Sequence, residues 1–138
     1  MKQDPRPGKI LVVDDVEVVL KLSEILLKRT GSTVIKAKDG QEALKKIQTE
    51  KPDIVLLDLF MPQMNGDVVT RFIKQNPETR DTTVILITSK GDDATRRRCI
   101  QAGVDYFVTK PIHHDELLEI VRSELKKKGC RTHAGEIS

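Results

Sequence analysis

Ile54-Val55-Leu56-Leu57, ending on Asp58 and followed by Leu59-Phe60-Met61-Pro62-Gln63-Met64-Asn65-Gly66, is the stretch from which the rest of the chain can be read. A wholly apolar run of this length, entered through Pro52 and left through a Pro/Asn/Gly-rich loop, reads as a strand covered on both faces, as in a parallel sheet. Asp58 stands where that strand emerges. In open α/β sheets ligands collect outside the carboxyl ends of the strands, so a carboxylate at this point faces the expected site.

Working outward, Lys9 opens a second run, Ile10-Leu11-Val12-Val13, which also ends on acid, Asp14-Asp15, before a helical pattern. Val18, Val19, Leu22, Ile25 and Leu26 recur at helical spacing to about Arg29, with Gly31 as a stop. Thr33 to Ala37 is the next strand. Asp39-Gly40-Gln41-Glu42 resembles a capping box, with Asp in place of Ser or Thr, ahead of Ala43, Leu44 and Ile47 on a helix that ends before Pro52. Beyond the central strand, Val68, Val69, Phe72 and Ile73 mark a third helix, closed by Asn76-Pro77. Thr83 to Thr88 is the fourth strand. Asp92 or Asp93 can cap a helix carrying Ala94, Cys99, Ile100 and Ala102, which Gly103 closes. Tyr106-Phe107-Val108 is a short fifth strand reaching Thr109-Lys110-Pro111, and Leu117, Leu118, Val121 and Leu125 line a last helix to about Lys128, before Gly129.

Five strands alternating with five helices predict βαβ units with right-handed crossovers: an α/β, doubly wound, five-stranded parallel sheet with helices on both faces. Alternation alone leaves the strand order open; the flavodoxin-like order 2-1-3-4-5 is a common solution. In that order Asp14, Asp15, Asp58, Thr88 and Lys110 gather at one edge.

A chain of 138 residues with 38% hydrophobic content suits one domain. We expect it over 9–128, between a flexible leader at 1–8 and a polar tail, or the start of a linker, at 129–138. The net charge of +3 is small, and no aromatics interleave the basic stretches, so no direct nucleic-acid contact is expected. Arg96-Arg97-Arg98 and Lys126-Lys127-Lys128 read as solvated helix faces, and His113 and His114 as surface residues. Cys99 and Cys130 form neither a disulfide framework nor a metal spacing and read as free thiols of a reducing compartment. With no signal-peptide core and no run near the roughly 18 apolar residues of a span, the expectation is a soluble, cytoplasmic protein without membrane contact.

Carboxylates brought together repel, and a divalent cation relieves them. Mg²⁺, held by one or two carboxylates with waters and phosphate, suits this acid set better than Ca²⁺, and no Cys/His set exists for zinc. Lys110 offers a compact positive charge and Thr88 a hydroxyl, both suited to phosphoryl oxygens, and Asp58 can serve as a carboxylate nucleophile. Taken alone, Asp14 and Asp15 could equally cap the first helix, and Asp58 could simply begin a turn.

The ordered set Asp14-Asp15, Asp58 through Gly66, Thr88-Ser89 and Lys110-Pro111 resembles the receiver domain of two-component response regulators, similar to single-domain chemotaxis-type regulators, from Lys9 to about Lys128. The resemblance implies that Asp58 accepts a phosphoryl group from a sensor histidine kinase or a phosphotransfer protein. Asp15 would ligate Mg²⁺ directly, Asp14 would hold a coordinated water, and Asp58 and the Phe60 backbone carbonyl would complete the protein's share. Thr88 would be the switch hydroxyl and Lys110 the phosphate counter-ion beside a cis peptide at Pro111. Phe107, three residues before the lysine, would be the switch aromatic. It lacks a hydroxyl, so its states must differ by burial and packing. Phe60 and Lys90 flank the path of an attacking water, and bulky Phe60 is expected to slow self-dephosphorylation. The output would be a changed surface over helix four, strand five and helix five, which is also the surface of a homodimer in family members. The downstream effector is unknown. Such a domain is no enzyme beyond promoting its own phosphorylation and dephosphorylation. Two alternatives are an unphosphorylated pseudo-receiver acting as an interaction module, and a Mg²⁺-dependent phosphohydrolase. The haloacid-dehalogenase-like pattern needs a second acid two residues after the nucleophile, where this chain has Phe60.

Overall fold

The structure, a computed structural model, describes residues 6–132. The elements are β1 (Lys9–Val13), α1 (Glu17–Leu27) with a 3₁₀ turn (Lys28–Thr30), β2 (Thr33–Ala37), α2 (Gly40–Glu50), β3 (Ile54–Asp58), α3 (Gly66–Gln75), β4 (Thr83–Thr88), α4 (Asp93–Ala102), β5 (Tyr106–Thr109) and α5 (His114–Lys127). The strands form one five-stranded sheet in the order β2-β1-β3-β4-β5, and every pairing is parallel. β3 therefore lies at the centre, as its apolar run requires. The register sets Val13 beside Leu57, Asp58 beside Ile87 and Thr88 beside Thr109, so the carboxyl ends of β1, β3, β4 and β5 finish level.

Alternation along each strand divides the core. Ile10, Val12, Ile54, Leu56, Ile85 and Ile87 point to the face covered by α1 and α5, where they meet Leu20, Leu27, Leu118 and Leu125. Leu11, Val13, Val55, Leu57 and Val84 point to the other face and meet Ala43 and Ile47 of α2 and Val69 and Ile73 of α3. A small third cluster, Leu59, Leu86 and Cys99, lies beneath α4 with Phe107 packed against it.

Helix ends follow the expected chemistry with two refinements. The Asp39 carboxylate accepts from the Glu42 N–H at 2.8 Å, while the Glu42 carboxylate reaches back to the Lys38 N–H, one residue beyond the usual reciprocal partner. Of the two acids before α4, Asp92 is the cap, accepting from the Thr95 N–H and hydroxyl. α1 differs more. The apolar stripe that marks it, Val18, Leu22 and Ile25, is 66%, 61% and 58% exposed, whereas Leu20 and Leu27 are buried. A helix apolar on most of its circumference shows its period clearly without showing which side is inward.

At the opposite end of the sheet from Asp58, Pro7 bridges Arg131, and the Arg131 N–H donates to the Arg6 carbonyl at 2.7 Å. Cys130, expected within a polar tail, is buried in the α1/α5 core instead, its N–H donating to the Leu125 carbonyl. Residues 1–5 and 133–138 of the expected leader and tail lie outside the described residues. Nearby, the Asp53 carboxylate takes the Arg6 guanidinium through two bonds of 2.7 and 3.0 Å and the Lys9 N–H at 2.8 Å. Burial pushes the Asp53 carboxyl up, but Arg6 and the Lys9 amide outweigh it and hold it below the usual carboxylate range. A depressed folded-state value means stability that is present above the unfolded carboxyl's value, about 4, and lost as pH falls through the folded one. Arg6→Ala should therefore cost about 1 to 2 kcal/mol at neutral pH, a modest figure because the arginine is largely exposed. Urea titrations at pH 7 and pH 3 check this, and the deficit should shrink in acid.

Candidate phosphoryl-accepting site

The carboxyl ends of β1 and β3 bring three carboxylates together. One oxygen from each of Asp14, Asp15 and Asp58 lies within 4.8 Å of the others. Asp14 is buried and Asp15 exposed. Neither caps α1: the N-cap is Val16, without a side-chain bond, and Asp14 Oδ1 accepts the Val16 N–H at 2.9 Å. Burial raises the Asp14 carboxyl above its ordinary value, with Asp58 and Asp15 adding to the rise against the Val16 amide and Lys110. Lys110, at the end of β5, brings Nζ to 3.7 Å from Asp58 Oδ2, and its peptide bond to Pro111 is cis. A small cavity of about 60 Å³ joins Asp14, Asp58 and Lys110. Three carboxylates against one ammonium group leave the site electronegative, and an all-oxygen donor set of this kind fits a hard divalent cation.

The loop beyond Asp58 folds tightly over the strand end. The Gly66 N–H donates to the Leu59 carbonyl at 2.7 Å, and a Cβ at Gly66 would lie 2.5 Å from the Asp58 carbonyl oxygen, so the motif needs glycine there. The Phe60 N–H points at Asp58 Oδ1 at 3.3 Å, while the residue is 44% exposed. Thr88 is fully buried and its Oγ accepts the Lys90 N–H at 3.1 Å.

Phe107 and Tyr106 are separated by the pleat. Phe107 pairs with Leu86 and shares the α4 face of the sheet with it, two residues along β4 from Thr88. Tyr106 lies on the α5 face, where its hydroxyl donates to the Glu124 carboxylate at 2.6 Å. That bond, with burial and the Glu124 charge, pushes the phenol up to about 12. Glu124 also accepts from Thr83 and Lys127. Burial pushes its carboxyl up, but these donors together hold it below its usual value.

Two contacts of α4 give no local signal in the sequence. Arg98 Nε lies 3.0 Å from Asp67 Oδ2 on α3, and the Arg96 guanidinium sits 5.5 Å from the centre of the Phe107 ring. The arginine run, read as a solvated face, thus has two members engaged with neighbouring elements. Only long-range pairing decides this; helical spacing cannot.

The profile of the family described as "Response regulator receiver domain" matches residues 10–122. Protein PilG of Pseudomonas aeruginosa is 34% identical over 125 residues, covering 91% of this chain and 93% of PilG. The alkaline phosphatase synthesis transcriptional regulatory protein PhoP of Bacillus subtilis is 34% identical over 129 residues, 94% of this chain, which spans about half (53%) of PhoP's length. Among solved structures, the signal receiver domain of a signal transduction histidine kinase from Syntrophus aciditrophicus superposes with a TM-score of 0.83 at 30% identity, covering 95% of this chain and 98% of that one. With its 2-1-3-4-5 sheet and its acids gathered at the strand ends, this chain belongs to the response regulator receiver domain family.

Proposed function

We propose that the chain is a phosphorylation-dependent signalling switch in which Asp58 accepts a phosphoryl group from the phosphohistidine of a sensor histidine kinase or phosphotransfer protein. The observation that carries this reading is the juxtaposition of Asp14, Asp15 and Asp58 with Lys110 3.7 Å from the acceptor carboxylate. An Asp58 oxygen attacks phosphorus as the imidazole N–P bond breaks, giving an aspartyl phosphate and a free histidine. Mg²⁺, held by Asp14, Asp15, Asp58 and the Phe60 carbonyl, would neutralise charge on the transferring oxygens. Lys110 does the same from the β5 side and holds the group in place. The Phe60 N–H, already directed at Asp58 Oδ1, adds a fixed donor.

Once the group is attached, its charge of about −2 offers the Thr88 O–H a strong acceptor. Thr88 turns from the Lys90 N–H toward the phosphoryl oxygens. Phe107, on the same face and two residues along the neighbouring strand, follows into the space released. The surface of α4, β5 and α5 changes as a result and is what an effector reads. Hydrogen exchange with acetyl phosphate and Mg²⁺ tests the switch: protection should change over residues 88–110. Unchanged exchange in a phosphorylated sample would refute it.

The aspartyl phosphate must survive water. Phe60 follows Asp58 by two residues and is 44% exposed, and Phe60→Asn should shorten the phosphorylated lifetime several-fold by admitting and orienting a water molecule. Decay of the phosphorylated species after gel filtration measures it. An unchanged or longer lifetime would remove this role from Phe60.

A further inference from the structure

We infer that Arg96, stacked on Phe107 from α4, is a positioning residue that holds the ring in its unphosphorylated place and so sets how readily the site accepts a phosphoryl group. This rests on the switch reading of Phe107 given above.

Two contacts fasten α4 sideways, and they differ in kind. Residues 96 and 98 stand about 200° apart around a helix, so they reach opposite neighbours. Arg98 reaches Asp67 on α3, whose carboxylate is buried and whose second oxygen has no partner. Losing Arg98 would leave that charge stranded, so the α3 side is the firm attachment. Arg96 reaches the Phe107 ring at 5.5 Å, within the range of a cation over an aromatic face. Such a contact at a half-exposed site is weak and readily exchanged. Apolar burial does little to reinforce it, since the residues α4 buries are Thr95, Cys99 and Ala102, all small, while Ile100 faces solvent.

The neighbouring aromatic sharpens the contrast. Tyr106 is moored by its hydroxyl to Glu124, itself held by Thr83 and Lys127, and is unsuited to move. Phe107 has no hydroxyl to moor it. Its ring packs against the Leu59, Leu86 and Cys99 cluster and carries the Arg96 guanidinium over its face. The cation therefore does for this ring what a hydrogen bond does for its neighbour, and with less strength.

The test compares wild type with Arg96→Gln, Arg96→Lys and the neighbouring control Arg97→Gln in the intact chain, carrying isotope-labelled phenylalanine. Without ligand, three-bond couplings report the side-chain rotamers of Phe107. The minor rotamer should rise about two- to five-fold in Arg96→Gln, less in Arg96→Lys, and not at all in Arg97→Gln. With Mg²⁺ and beryllofluoride, a phosphoryl mimic, the apparent dissociation constant should tighten by the same factor, because more of the protein is already competent. In the Phe107→Leu background Arg96→Gln should change nothing. Rotamers and affinity unaltered by Arg96→Gln, or altered equally in the Phe107→Leu background, would overturn the inference. If beryllofluoride binds none of the proteins, the phosphoryl-acceptor reading fails, and the ligand-free couplings still decide the role of Arg96.

Discussion

Lys110→Met should slow phosphorylation from acetyl phosphate by about 10²- to 10³-fold, the usual cost of removing one preorganised charge from a developing anion. The reason is local. Lys110 is the cation the structure sets against Asp58, at 3.7 Å, and methionine keeps the length of the side chain while removing its charge. An effect of this size separates two roles for the lysine. A surface lysine that merely screens the acids would change the rate a few-fold, as salt does. A counter-ion to the transferring group changes it by orders of magnitude. Initial rates of phosphorylated product at fixed Mg²⁺, resolved by intact mass, give the answer. A rate within three-fold of wild type would remove Lys110 from the site.

Asp14→Asn is expected to raise stability without metal and abolish the stabilisation that metal brings. Asp14 is buried beside two other carboxylates, and burial together with those charges disfavours its ionised form. Asparagine keeps the carbonyl oxygen that accepts the Val16 N–H and turns the repulsion into a donor facing Asp58 and Asp15. Metal-free stability should rise by about 0.5 to 1.5 kcal/mol. For wild type, Mg²⁺ at ten times its dissociation constant should add about 1.4 kcal/mol, a few degrees in Tm for a domain of this size. In Asp14→Asn that increment should vanish. Thermal melts with and without Mg²⁺ read both effects, which have opposite signs, so a general loss of structure cannot imitate them.

The fold was legible because its signals are local and redundant. The apolar runs Ile10–Val13, Ile54–Leu57 and Thr83–Thr88 are uninterrupted because both faces of those strands are covered. The breaks between them carry caps and stops, Asp39, Asp92, Gly31 and Gly103, that act within four residues of their own position. The gathering of Asp14, Asp15, Asp58 and Lys110 was legible for a related reason: each closes a strand or follows its end within two residues, and the strand order then decides the rest.

What stayed hidden depends on pairs far apart in the chain. Arg6 meets Asp53 across 47 positions, while its carbonyl takes the Arg131 N–H from the other end of the described chain. Arg98 and Asp67 meet across 31 positions (98 − 67), and Arg96 finds Phe107 across the turn from α4 into β5. Side-chain spacing on one helix carries no information about which neighbour lies opposite. Cys130 reads as part of a polar tail because its neighbours in sequence are polar, yet the Gly129 turn, at φ +77°, brings it back under Leu125. α1 shows a different limit. Val18, Leu22 and Ile25 have the spacing of a core stripe and face solvent, because Leu20 and Leu27 fill the room beneath the helix.

The whole account depends on Asp58 becoming an acyl phosphate in a pocket of acids that a cation makes habitable. Intact-mass analysis after incubation with acetyl phosphate and Mg²⁺ tests this most directly. Wild type should gain one phosphoryl group, lose it on treatment with hydroxylamine, and gain none when Mg²⁺ is chelated, while Asp58→Asn should gain none at all. A folded wild-type protein that stays unlabelled, or an Asp58→Asn variant labelled to the same extent, would contradict it.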